Sequence, residues 1–250
     1  MPDNVTRAGH RLAYNYSPGA APGIVFLGGL RSDMNGTKAL ALEAWARAQG
    51  RAYLRLDYSG HGISDGTFEG GCIGDWAADA LAVIERATDG PQVLVGSSMG
   101  GWIALLLARD HPKRVAGLVT IAAAPDFTED GFWSGFTDAQ RLELFEKGRV
   151  ALPSNYGDPM VVTQPLIEEG RHNLVLRTPL PLPFPVRLLQ GNADAEVPTE
   201  TALRLLAHAD SPDMRLTIVD GADHRFSSDD NLRLIEDSVE DVLACLATAT

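Results

Sequence analysis

Cysteine is scarce in this chain. Cys72 and Cys245 are the only two in 250 residues, far apart and without metal-ligand spacing, which leaves no basis for a disulfide framework or a zinc site. Clustered positive charge is missing too. Asp and Glu total 33 against 21 Lys and Arg, a formal charge of −12, and no basic run interrupts that surplus. Binding to a nucleic-acid backbone is therefore disfavoured. The longest purely apolar run, Trp102 to Ala108, is far below the ~20 residues of a membrane-spanning helix. The opening "MPDNVTRAGH" has neither the basic n-region nor the apolar h-region of a signal. The expectation is a soluble, unprocessed, cytoplasmic protein with no stable membrane insertion. No repeat or low-complexity tract appears, and no cofactor or metal is implied.

What is present is an ordinary globular composition, 45% hydrophobic and 22% charged, enough for one core across residues 1–250. Runs rich in β-branched or aromatic residues recur at "GIVFLGG", "RAYLRLDYSG", "PQVLVGSS", "RVAGLVTIAAA", "PVRLLQG" and "MRLTIVDG". Most are followed by helical spacing. Thr37 to Gln49 reads as an amphipathic helix with Thr37 as N-cap and Gly50 as the residue closing it, and Asp75 to Thr88 reads similarly. The alternation predicts an α/β fold, a mostly parallel sheet with helices on both faces. It lapses between Asp126 and Phe184, where two helices, "TDAQRLELFEKG" and "QPLIEEGRHNLVL", are expected with no strand. Residues 126–184 are read as an inserted helical lid. Four prolines between Pro179 and Pro185 then force an extended return to the sheet.

Gly-x-Ser-x-Gly occurs twice, around Ser98 and around Ser64. A serine nucleophile needs a sharp strand-to-helix turn that lifts its hydroxyl clear of the sheet, and the residues two before and two after must lack bulk. Gly96 and Gly100 meet that demand for Ser98, whereas Val95 and Met99 would collide around Ser97. Ser64 is followed by "DGTFEGGCIG", a loop sequence, so its match reads as turn chemistry. No Walker lysine or G-x-G-x-x-G accompanies Ser98, which disfavours a phosphate cradle.

The hydroxyl needs a base, and the base needs a carboxylate. Of six histidines, His224 in "DGADHRF" follows the last strand and precedes the last helix, where a loop emerges at the carboxyl edge of the sheet. His61 sits in a turn; His10, His111, His172 and His208 look like surface or helix-end residues. Asp194 in "LLQGNADAEVP" follows the penultimate strand, with Glu196 as the rival and Asp223 adjoining the histidine. The order Ser, Asp, His is that of the α/β-hydrolases. Backbone N–H groups of Met99 and of Leu30, which follows Gly28 and Gly29, are the expected oxyanion donors.

These residues carry a family resemblance. From about Gly23 to Leu246 the chain resembles an α/β-hydrolase, and "MNGTKALALEAWARAQG", "LRLDYSGHGISDG", "GPQVLVGSSMGGW", "VRLLQGNADAEVP" and "DHRF" are similar to a branch of acyl-protein thioesterases and acyl-glucuronide esterases, mitochondrial in mammals and with bacterial relatives. The resemblance implies serine hydrolysis of esters or thioesters through an acyl-enzyme, with Ser98, Asp194 and His224 at the triad positions and Leu30 and Met99 at the oxyanion positions. One departure is that Gly28 and Gly29 stand where the superfamily commonly has His-Gly.

The substrate is expected to be a small molecule or an acylated protein. Phe127, Phe132, Trp133, Phe136, Leu142 and Phe145 are candidates for an apolar roof over Ser98, and Arg31 or Arg171 for binding a carboxylate. Asp57 reads as structural. Two other readings keep the fold: a carbon–carbon hydrolase or perhydrolase on the same triad, and a non-catalytic binding protein.

Overall fold

The computed structural model describes residues 2–153 and 159–248. In chain order the N-terminal part runs β1 (Asp3–Arg7), β2 (His10–Ser17), β3 (Ala20–Leu27), α1 (Thr37–Ala48), β4 (Arg51–Leu56), α2 (Ile73–Ala87), β5 (Gln92–Ser97), α3 (Met99–Asp110) and β6 (Val115–Ile121). It continues with α4 (Asp138–Lys147), β7 (Arg149–Leu152), β8 (Met160–Thr163), α5 (Gln164–Gly170), β9 (Val186–Gly191), α6 (Thr199–His208), β10 (Met214–Val219) and α7 (Asp229–Thr248).

The main sheet has the order β1-β2-β4-β3-β5-β6-β9-β10. The six strands expected from their apolar runs are parallel to one another, and β1 and β2 add an antiparallel edge. Residues of β5 are buried throughout, as a central strand covered on both faces requires. One face packs α1 and α7 through Ala39, Leu42, Ala46, Ile235, Val239 and Val242. The other packs α2 and α3 through Trp76, Val83, Trp102 and Leu105. No helix among the described residues is long and apolar enough to cross a membrane.

Register decides where the loops emerge. Leu27 pairs with Gly96, Ser97 with Ile121, Ile121 with Leu189, and Gly191 with Val219. The carboxyl ends of β3, β5, β6, β9 and β10 are therefore level. The turns that follow, carrying Leu30, Ser98, Asp194 and His224, open on one edge of the sheet, where open α/β sheets bind ligands.

Between β6 and β9 the structure differs from expectation. β7 and β8 form an antiparallel pair outside the main sheet, so this excursion is not purely helical. "RVAL" and "MVVT" are four-residue stretches that pair only with each other, too short to stand out beside helical flanks. α4 forms as expected, opened by a capping box in which Thr137 Oγ1 accepts from the Gln140 N–H and Gln140 Oε1 from the Thr137 N–H. The second helix stops at Gly170 and passes into a 3₁₀ turn, Arg171–Asn173. At α1 the cap is Gly36, and Thr37 is already helical without a capping bond.

The excursion is clasped at its neck. Asp126, fully buried and at φ +60°, accepts the N–H groups of Val175 (2.8 Å) and Leu176 (3.1 Å) and pairs with Arg177. A π-helical turn, Thr128–Trp133, follows directly. Phe127 meets Trp102 of α3 edge-on at 5.4 Å and Phe132 at 5.3 Å. The outgoing and returning strands of the excursion are thus tied together above α3.

Candidate active site

Ser98 sits between β5 and α3 at φ +54°, ψ −119°, a strained conformation for a residue with a side chain. The turn is held by backbone bonds. The Ser98 N–H donates to the Ile121 carbonyl at 2.9 Å, and the Ser98 carbonyl accepts from Gly101 and Ala124. The two glycines explain why this corner exists here. A Cβ on Gly96 would lie 2.3 Å from the Gly100 oxygen, and one on Gly100 would lie 2.0 Å from the Leu27 oxygen. Backbone approaches backbone at both positions, so no side chain fits.

Ser98 is half-buried, and His224 Nε2 stands 3.1 Å from its Oγ. His224 Nδ1 stands 2.8 Å from Asp194 Oδ2. The three residues, separated in sequence, form a continuous hydrogen-bonded line. The Asp194 side chain has no solvent exposure and that of His224 is 19% exposed. Burial pushes the Asp194 carboxyl up, but hydrogen bonds from His224, Val197 and Glu196 together hold it below the usual carboxylate range. Asp194 is thus ionised opposite the imidazole. Glu196 contributes its backbone N–H to this carboxylate, while Asp223 Oδ1 accepts from the Phe226 N–H.

The loop after β3 lies directly against the serine. A Cβ on Gly29 would stand 3.4 Å from Ser98 Cβ. The Gly28 carbonyl accepts from Tyr58 Oη at 3.2 Å and the Gly29 carbonyl from Ser32 Oγ at 2.6 Å. In a trans peptide the carbonyl and the next N–H point in opposite directions. Fixing the Gly29 carbonyl on Ser32 therefore also fixes the direction of the Leu30 N–H. Met99, as the first residue of α3, has an N–H with no partner one helical turn back.

Lys38, in the first turn of α1, donates from Nζ to the Arg225 carbonyl at 2.5 Å and so braces the loop bearing His224. Burial pulls its ammonium down to about 8, opposed by Asp223 and aided by Arg225. Sequence reasoning passed over Lys38, Ser32 and Tyr58. Ser32 alone had a local signal, a serine three residues after Gly29; the other two act across the fold.

Ser64 is occupied in a turn. Its Oγ donates to the Asp57 carbonyl at 2.7 Å and accepts from the Ala13 N–H at 2.8 Å. Asp57, buried, accepts from the N–H groups of Met34 and Ile63 and links the loops after β3 and β4. His61 is buried among Tyr58, Phe68 and Trp76. Among the described residues, the hydrogen bonds and ring contacts of Ser64, Asp57 and His61 go to other groups than Ser98, His224 and Asp194.

A family model for the alpha/beta hydrolase fold matches residues 24–160. The chain belongs to the α/β-hydrolase family. This hydrolase is 37% identical over 239 residues to the human mitochondrial palmitoyl-protein thioesterase ABHD10, covering 95% of its own length and 78% of the relative's. Among solved structures, an Agrobacterium vitis S4 protein described as a hydrolase superposes with TM-score 0.90 at 39% identity, covering 97% of both chains. The mouse alpha/beta hydrolase domain-containing protein 10 does so with TM-score 0.90 at 34% identity, covering 98% of both. These findings overturn the cytoplasmic expectation, because the related thioesterases are named as mitochondrial. That expectation rested on the two widely spaced cysteines and on the makeup of the opening residues, neither of which fixes where a hydrolase of this kind works.

The expected roof residues of the hydrolase divide. Phe136 is buried, and Phe132 and Trp133 are half-buried, whereas Leu142 (56% exposed) and Phe145 (78%) lie on the outside of α4. The helical period places both away from Leu144, the residue of α4 that is buried. Trp133 is flanked by Arg141 and Arg171, whose guanidinium carbons lie 5.2 and 4.6 Å from its ring centre. Arg171 also pairs with Glu129 at 2.7 Å, so its charge is already engaged. Arg31, at φ +59°, is exposed and donates to the Pro159 carbonyl at 3.4 Å.

Proposed function

We propose that this protein is a serine hydrolase of carboxylic thioesters and esters that works through an acyl-enzyme on Ser98. The line Ser98 Oγ, His224 Nε2, His224 Nδ1, Asp194 Oδ2, with contacts of 3.1 and 2.8 Å, carries the reading. Ser98 Oγ attacks the acyl carbonyl and His224 takes its proton. Asp194 stabilises the imidazolium that results. The oxyanion is met by the N–H groups of Leu30 and Met99. As the tetrahedral intermediate collapses, the thiol or alcohol leaves with the proton returned by His224. Water, deprotonated by the same imidazole, then releases the acid and restores Ser98.

The naming of the relatives as palmitoyl-protein thioesterases supports an acylated protein as substrate and a thioester as the scissile bond. The excursion over residues 126–184 is read as a lid, with Phe132, Trp133 and Phe136 shaping the acyl site. Arg31, beside Leu30, is read as a contact for an anionic part of the leaving group. A panel of p-nitrophenyl esters and acyl-CoA thioesters of graded chain length, run on the wild type and Ser98→Ala, tests this. Wild-type turnover that is lost in Ser98→Ala is expected. Saturable binding without product release would make it a binding protein instead.

A further inference from the structure

Gln190, the penultimate residue of β9, is fully buried just before the turn that carries Asp194. Its amide nitrogen lies 3.2 Å from Asp194 Oδ2, 3.1 Å from the Gly191 carbonyl and 3.0 Å from the Val197 carbonyl. Those acceptors belong to the start, the middle and the end of one loop. Its Oε1 is also buried and has no hydrogen-bond partner among the described residues. Turning the amide over would set that oxygen against three acceptors, so the orientation is dictated. An unpaired buried carbonyl is unfavourable, and a side chain needed only to fill space there would be Leu or Met.

We infer that Gln190 is a positioning residue for hydrolysis, its two amide N–H groups shared among the Asp194 carboxylate and the Gly191 and Val197 carbonyls at the two ends of its loop, so that Oδ2 faces His224. The inference rests on reading Ser98, His224 and Asp194 as a triad. Oδ1 takes the N–H groups of Glu196 and Val197, while Oδ2 takes His224 and Gln190. All four acceptor directions of the carboxylate are then used, and it has one orientation. A neutral donor does this without a second cation competing for Asp194. The charged groups around the line are Glu196 in the same loop, Asp223 and Arg225 beside His224, Lys38 from α1, and Asp220, held by Asn192.

The test compares Gln190→Met, Gln190→Glu and wild type as full chains, in kcat and KM against pH on a p-nitrophenyl ester, with thermal melting alongside. Without the amide donor, Oδ2 is more basic and favours the imidazolium. At the pH plateau kcat is expected to fall about tenfold with KM little changed. The acid limb is expected to move to higher pH by about half a unit in Gln190→Met and further in Gln190→Glu, whose carboxylate adds negative charge. An unmoved limb in both variants, whether or not melting temperature falls, overturns the positioning role. Absence of fluorophosphonate labelling at Ser98 in the wild type would instead bring down the triad reading beneath it.

Discussion

At the scale of single residues, Ser98 is held in a conformation that only its neighbours make tolerable. A methyl group at Gly100 would meet the Leu27 carbonyl at 2.0 Å, so β3 or α3 must move to admit it. Gly100→Ala is expected to destabilise the fold by about 1–3 kcal/mol, read as a lowered midpoint in urea, and to reduce activity more than the stability loss explains. Ser32 is the cheaper perturbation. On the proposed reading, Ser32→Ala leaves the Gly29 carbonyl held only by the Ser32 N–H at 3.2 Å, loosens the Gly29–Leu30 peptide and lowers kcat with KM near wild type, while Ser32→Thr retains the hydroxyl and most of the rate. Lys38 offers a pH test with a defined sign. Its folded value, about 8, lies below its ordinary 10.5, so the unfolded chain binds more protons between those values. Stability of the wild type relative to Lys38→Met should rise with pH across that window, as denaturant titrations at pH 7.5 to 10.5 would show.

At the scale of elements, the strands that carry the site were legible because each is a short run rich in apolar or β-branched residues that ends in a turn sequence, although β9 and β10 carry polar interruptions and β10 is an edge strand with exposed positions. Chain order and the glycines around Ser98 pointed to the three residues that the fold brings into hydrogen-bonding contact. β1 and β2 were not legible, since an edge pair with one exposed side shows polar interruptions at Asn4, Thr6 and Arg11. Gln190 and Tyr58 were invisible for a different reason: each acts on a partner chosen by tertiary register and not by spacing. The excursion between β6 and β9 was half legible, its helices showing period and caps while β7 and β8 did not. Its neck is the place to perturb it. Asp126→Ala strands two buried N–H groups at Val175 and Leu176, each a loss of about 1–3 kcal/mol, and releases Arg177. Faster proteolytic cleavage within residues 126–184, with the sheet still folded by circular dichroism, is the expected outcome.

At the scale of the whole molecule, the formal charge of −12 is a self-repulsion that the fold tolerates. Moderate salt should therefore raise the melting temperature, since screening weakens repulsion between exposed carboxylates more than the contacts of buried pairs such as Arg55 with Glu43 at 2.7 Å. A flat or falling response would show that screened ion pairs matter more. The position of the site follows from global register: four loops from β3, β5, β9 and β10 converge because the carboxyl ends of those strands are level.

The most direct test of the account is to quench the protein in acid within its first turnover of an acyl thioester and to locate the added acyl mass by fragmenting the peptide that carries Ser97 and Ser98. The account predicts the acyl group on Ser98 in the wild type and none in Ser98→Ala. Hydrolysis that proceeds with no acyl mass on that peptide, or with the mass on another residue, would contradict it.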